Sequence, residues 1–372
     1  MNLLDTDYTY TFPAIRGIQA KREYFITMCP LKLIPKLFFN DLQDVPPEYR
    51  AQRVLNKTRI PEITKYIIDN PDDYVFSSLT ASIDGEFQFV PFSDENVFHD
   101  LGKLVISMDA KFLINDGQHR RAAIEEALFQ NPDLANETIS IVLFSDRGLK
   151  RSQQMFADLN KHAINTTKSI GILFDHRDPI RNLTLDIIDQ IPLLRDFTDK
   201  ESNSLSKYSS KIFILSNLYE VNCRLILNNK KSKLTEEDQR FVLSFWSYLC
   251  DSIKEWNDVK NKLLSARELR STYIHSHGVV LEALGIVGSY FYKNKQKDMK
   301  KYLAKLNNIN WSRQNMVDWR DRVIRSDGRI AKSNTFVIRT SNLIKQKIGL
   351  ELTNEEQKIE LEFLHQYKTQ NQ

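Results

Sequence analysis

The hydrophobic period changes near residue 175, and that change limits the chain to folds built in two parts. Before it, short runs alternate or stay apolar for only a few residues, as in "YTYTFPAIRGIQA", "KLVISM", "KFLIN" and "TISIVLFS". Steps of two place every second side chain on one face of a sheet. After it, apolar residues recur at steps of three and four. Val242, Phe245, Trp246, Leu249, Ile253 and Trp256 read as one helical stripe. The expectation is an α+β chain, with a mixed α/β domain over 1–175 and a mainly helical domain over 176–372.

Local signals fill in the first part. "RIPEITKYIIDNPDDY" predicts a helix with Ile63, Tyr66 and Ile67 inward, stopping before Pro71. "VFSSLTASIDGEFQFVPF" reads as two strands joined by an Asp84-Gly85 turn, hence a hairpin. "KLVISM" and "KFLIN" predict another hairpin. "RAAIEEALFQN" puts Ala123, Ile124, Ala127 and Leu128 on one helical face. "LKRSQQMFADLNKHA" predicts an amphipathic helix with Leu149, Met155, Phe156 and Leu159 inward. In the second part, Thr353 and Glu356 form a capping-box pattern.

Composition excludes several classes. Apolar residues make up 41% of the 372, enough for a folded core. No apolar run approaches the roughly 18 residues of a membrane span. "MNLLDTDYTY" is acidic and leads into no apolar stretch, so a cytoplasmic protein with no membrane partner is expected. Three scattered cysteines fit no metal spacing, and seven scattered histidines include no HExxH, so no metal centre is expected. His275 and His277 stand two apart, a spacing that would splay them on a helix. Cys223 and Cys250 fall in helical patterns and read as core. Cys29 precedes a proline outside an obvious helix, as a buried structural thiol or a regulatory one. The net charge of +4 is mild for a nucleic-acid binder, so clustering matters more. Arg147, Lys150 and Arg151 form one basic group; Lys230, Lys231 and Lys233 form another. Both are candidate DNA contacts. "WRDRVIRSDGR" at 319–329 is a third basic stretch.

The densest polar group is "NDGQHRRAA" at 115–123, between a strand and a helix starting near Arg120. Gly117 allows a positive φ or a close backbone approach. Unpaired N–H groups at a helix start, with the helix dipole, favour an anion. Arg120 and Arg121 can add charge-assisted hydrogen bonds to phosphate oxygens. His119 can move a proton near neutral pH. Asp116 can cap the helix, orient His119 or hold Mg²⁺. The plain alternative is a turn and cap with solvated arginines. Neither GxxxxGK[ST] nor GxSxG occurs. A second polar cluster, Asp158, Asn160, Lys161 and His162, closes the following helix.

The stretches "INDGQHRRAAIEEAL" and "QQMFADLNKHA" resemble the DGQHR-domain family, with the pentapeptide intact from Asp116 to Arg120. More closely, with "SNSLSKYSSKIF" at 202–213 and "YIHSHGVVLEALG" at 273–285, the chain resembles the DndB family of the bacterial DNA phosphorothioate modification system. The resemblance spans nearly the whole chain. It implies a ParB/sulfiredoxin-like N-terminal domain, whose GxxRxxA phosphate motif is matched by Gly117, Arg120 and Ala123. In that superfamily this loop holds nucleotide phosphates, which points to Gly117, Gln118, Arg120, Arg121 and Asn160. Gln118 and His119 stand where ParB proteins usually carry Glu and Arg. Gln118 also stands where sulfiredoxins carry the catalytic cysteine, so sulfiredoxin chemistry is not expected.

The resemblance further implies a DNA-binding negative regulator of the phosphorothioation genes. Its partners would be double-stranded promoter DNA of its own operon and other modification proteins, with a second copy of the chain as a further candidate. The alternative is an ATP-hydrolysing, DNA-nicking component using ATP with Mg²⁺. There Asp116 positions a metal or water and His119 shuttles a proton. A third reading is a scaffold without chemistry of its own.

Overall fold

Alternation at the N-terminus produces two long neighbouring strands, β1 (Thr9–Gln19) and β2 (Arg22–Pro30). The computed structural model describes residues 8–38, 57–93, 98–145, 154–155, 158–159, 166–226, 234–295, 298–331 and 333–370. Two compact units emerge, Met1–Ile164 and Asn165–Gln372.

The first unit adds β3 (Leu79–Asp84), β4 (Phe87–Pro91), β5 (Leu101–Ser107), β6 (Lys111–Asp116) and β7 (Thr138–Ser145). Its helices are α1 (Ile34–Leu37), α2 (Ile60–Asp69) and α3 (Gln118–Gln130). The seven strands form one sheet in the order β4-β5-β1-β2-β7-β3-β6. Every pair is antiparallel except β3 with β7. β7 lies inside the sheet, which explains its apolar run, and Ile139, Ile141 and Leu143 are buried. α2 ends at Asp69, before Pro71, with Ile67 buried. Ala123, Ile124 and Ala127 face inward on α3 and Leu128 is half-buried.

Both expected hairpins are corrected. β3 pairs with β6 and β7, whereas β4 pairs with β5. β5 pairs with β1 and β4, not with β6. Only Gly85 and Glu86 separate β3 from β4, so the ends of those strands lie within about 11 Å of each other. The sheet therefore curls until its two ends approach. Gly85 (φ +146°) lies at that seam, where an added Cβ would come 2.7 Å from the Ala110 Cα. The turn signal at Asp84-Gly85 was local; the partner of each strand was decided by the curl.

The second unit is helical: α4 (Lys168–Phe174), α5 (Pro179–Gln190), α6 (Pro192–Phe197), α7 (Leu215–Leu225), α8 (Glu236–Ser252), α9 (Lys254–Lys260) and α10 (Ala266–Thr272). There follow α11 (Gly278–Asn294), α12 (Met299–Ala304), α13 (Met316–Trp319), α14 (Asn334–Ile348) and α15 (Asn354–Gln370). Short strands β8 (Thr198–Asp199) and β9 (Phe213–Ile214) pair in parallel. The stripe from Val242 to Trp256 is buried throughout, but it spans two helices, because Ile253 leaves the helical region at φ −108° and ψ 104°. Cys250 is buried with it, and Cys223 is half-buried. Thr353 and Glu356 close α15 reciprocally at 3.0 and 3.3 Å. Among the described residues, no helix is long and apolar enough to cross a membrane.

Candidate phosphate site at the start of α3

β6 ends at Asp116 and α3 begins at Gln118, two residues earlier than the expected start near Arg120. Gly117 alone makes the turn, at φ +100° and ψ 18°. A side chain there would be strained, and its Cβ would collide with the Leu79 Cδ2 methyl. Only glycine lets the strand turn this sharply into the helix.

No side chain caps α3. The capping role open to Asp116 is corrected: its Oδ2 accepts from Arg120 Nη2 at 2.7 Å. Among the described residues, no hydrogen bond takes the N–H of Gln118 or Arg120. The start of α3 thus keeps its dipole and donors for an acceptor outside the helix.

Arg120 is a strut. Its Nη1 donates to the Ser77 carbonyl at 2.6 Å, to the Ser77 hydroxyl, and to the Ser78 carbonyl at 3.1 Å. These bonds tie the entry of β3 to the first turn of α3. Arg120 supplies positive charge to the site, but its Nη donors are largely committed. Arg121 pairs with Glu125 at 3.0 Å, four residues along the same helix. His119 is half-buried.

Beneath the turn lie two buried polar side chains with unmet demands. Asn115 is fully buried; its Nδ2 donates to Ser82 Oγ at 2.7 Å and to Met155 Sδ at 3.2 Å, while its Oδ1 has no partner. Gln118 is 9% exposed and its Nε2 has no partner. An unmet buried polar atom costs about 1–3 kcal/mol, so such atoms mark strain or an absent ligand. An unclosed helix start beside an unpartnered amide donor fits a phosphate.

Sequence reasoning missed Asn115, Ser77 and Ser78. Asn115 carried a weak signal, as a polar residue inside an apolar strand. The serines carried none, since their role depends on a bond from 42 or 43 residues away.

Other candidates separate. Asn160, Arg147, Lys150, Arg151, Lys230, Lys231 and Lys233 lie outside the described residues, as do Leu149, Phe156, Lys161 and His162. Met155 is buried as expected, but Leu159 is corrected: it is 41% exposed, and its neighbour Asp158 is exposed too. Cys29 is fully buried, and burial pushes its thiol up to about 12. It therefore stays protonated at neutral pH. His275 is also buried. Its Nδ1 accepts from Trp256 Nε1 at 2.9 Å, its Nε2 lies 3.5 Å from Glu255, and burial lowers its pKa. In the third basic stretch Arg322 is buried against Glu360 and Arg325 pairs with Asp327 at 3.5 Å. Among the described residues, no three His, Cys, Asp or Glu side chains gather to hold a metal ion.

Compared with models of protein families, residues 12–351 match DndB, described as DNA-sulfur modification-associated. No curated protein and no solved structure matches the chain.

Proposed function

The chain belongs to the DndB family, which is associated with DNA sulfur modification, and on that premise we propose that it is a DNA-binding negative regulator of the modification genes that grips phosphate at the start of α3. Membership supports DNA and other modification proteins as partners. The observation that carries the phosphate grip is the uncapped N-terminus of α3 beside the unpartnered Gln118 amide. Gly117 brings the backbone close, the N–H groups of Gln118 and Arg120 donate, and Arg120 adds charge. A DNA backbone and a nucleotide present the same oxygens to this grip.

The test is a titration of the whole protein with its own promoter and with scrambled DNA over a salt series. Preference for the promoter is expected, with log K falling linearly as log salt rises. Equal affinity for both at moderate salt would contradict the regulator. If α3 holds DNA phosphate, Gln118→Leu lowers affinity for both sequences alike.

ATP hydrolysis is the second reading, and Asp116 is what favours it. Its carboxylate is 46% exposed at the mouth of the loop, and among the described residues its Oδ1 accepts no hydrogen bond. If ATP binds with Mg²⁺, Asp116 would hold the ion or orient water, with the phosphates against the α3 amides. Mg²⁺-dependent turnover lost in Asp116→Asn, with the circular dichroism spectrum unchanged, would establish this reading. Equal turnover in both proteins would sink it.

A further inference from the structure

The second unit contains a cavity of about 430 Å³, lined by residues from 203–217, 270–282 and 330–337. Two stretches singled out in the sequence, 202–213 and 273–285, meet there. Arg270 holds them together. Its Nη1 donates to the Ser209 carbonyl at 2.9 Å and to the Lys211 carbonyl, and its Nη2 to the Ser206 and Lys207 carbonyls at 3.0 and 3.3 Å.

Part of the lining is built for an anion. α11, 17 residues long, begins there with no side-chain cap, and Gly278 and Val279 line the wall. Among the described residues, no hydrogen bond takes the N–H of either. Beside them Ser276 is 5% exposed, and its Oγ has no partner although it lines the cavity. A buried hydroxyl of this kind has forfeited its water without a replacement. Asn203, also in the lining, accepts the Lys168 N–H through its Oδ1 at 2.8 Å. Charge agrees with geometry. Arg270 contributes a positive charge, and Glu282, the acidic lining residue, is neutralised by Arg224 at 2.6 Å. Burial lowers His277 to about 4, so it is neutral at pH 7.

The lining also has an apolar part, formed by Leu205, Ile212, Ile330, Ala331 and Val337. A volume of this size takes a small organic molecule. We propose that this cavity binds a small organic phosphate, its head on the α11 amides and the Ser276 hydroxyl, its body against the apolar wall. A tetrahedral phosphate satisfies these converging donors better than a planar carboxylate, which offers fewer oxygens. The site is separate from the grip at α3 and does not depend on that reading.

The test uses the whole protein and 4-fluorophenyl phosphate as probe, followed by ¹⁹F NMR line broadening and isothermal titration. Saturable binding is expected, weaker for inorganic phosphate and for 4-fluorobenzyl alcohol, which carry only the head or only the body. Ser276→Ala should weaken binding about fivefold or more without loss of stability, because it removes an unpaired buried hydroxyl. Ala331→Phe should fill the apolar part of the lining and abolish the preference for the aryl phosphate over inorganic phosphate. No saturable binding to the wild-type protein would overturn the proposal. So would a preference for the aryl phosphate that survives both cavity substitutions.

Discussion

Helices α3 and α8 begin in opposite ways. At α8, Thr235 Oγ1 accepts from the Asp238 N–H at 3.2 Å, and Asp238 Oδ2 accepts from the Thr235 N–H at 2.9 Å. Tyr292 adds a bond to the same carboxylate at 2.5 Å. That helix start is closed by its own side chains. At α3 a glycine turns the chain, Asp116 is drawn away to Arg120, and the neighbouring Gln118 amide has no partner. An absent cap alone is not a site: α7 also lacks one, yet the Ser216 N–H is taken by Ser169 Oγ at 3.4 Å. What sets α3 apart from α7 and α8, as it does α11, is an open start together with a buried polar group left unmet. Stability closes such groups, and function leaves them open.

The largest effect should come from breaking a closed group. Arg322 is buried against Glu360, donates to the Arg339 carbonyl at 2.7 Å, and lies over the Phe363 ring at 4.4 Å. Glu360→Ala should cost about 3–5 kcal/mol in urea unfolding, because a buried guanidinium loses its counter-ion. A cost below about 1 kcal/mol would show that the group is not sealed. Gly117→Ala comes next. Positive φ and the collision with Leu79 should cost about 1–3 kcal/mol and weaken phosphate binding together.

Thr235→Ala should cost about 1 kcal/mol, the usual worth of a cap. Its pH dependence sharpens the contrast. Burial pushes the Asp238 carboxyl up, but the bonds from Tyr292 and Thr235 outweigh it and hold it below the usual range. A carboxyl lowered on folding stabilises above its unfolded pKa, and that stability is lost as pH falls through the folded value. The gap between wild type and Thr235→Ala should thus be full at neutral pH and shrink in acid. A gap independent of pH would remove Asp238 from the account.

The sequence made legible what local period determines. The two parts, the buried strand 138–145, the inward face of α3 and the Thr353–Glu356 box all follow from spacing within one element. Pairing across the sheet was not legible, because a curled sheet reassigns partners that a turn signal assumes are adjacent. The break at Ile253 was hidden, since the apolar stripe continues across it. At the site, Gly117 and the open helix start were visible in "NDGQHR". The fate of Arg120 was not, because a guanidinium drawn to Ser77 and Ser78 reads in sequence like one awaiting a phosphate. Leu159 misled for a similar reason: helical spacing marks a face without saying that anything covers it.

The most direct test is Gln118→Leu, measured for stability and for phosphate binding in the same preparation. Binding would be followed with Mg·ATP and with promoter DNA, and stability by urea unfolding. Leucine removes the unpartnered amide at similar volume, so the fold should be as stable as wild type or more so. Affinity for at least one phosphate ligand should fall about tenfold, equivalent to about 1.4 kcal/mol. Unchanged affinity for both ligands would contradict the phosphate grip. A large loss of stability would show that Gln118 belongs with the closed groups.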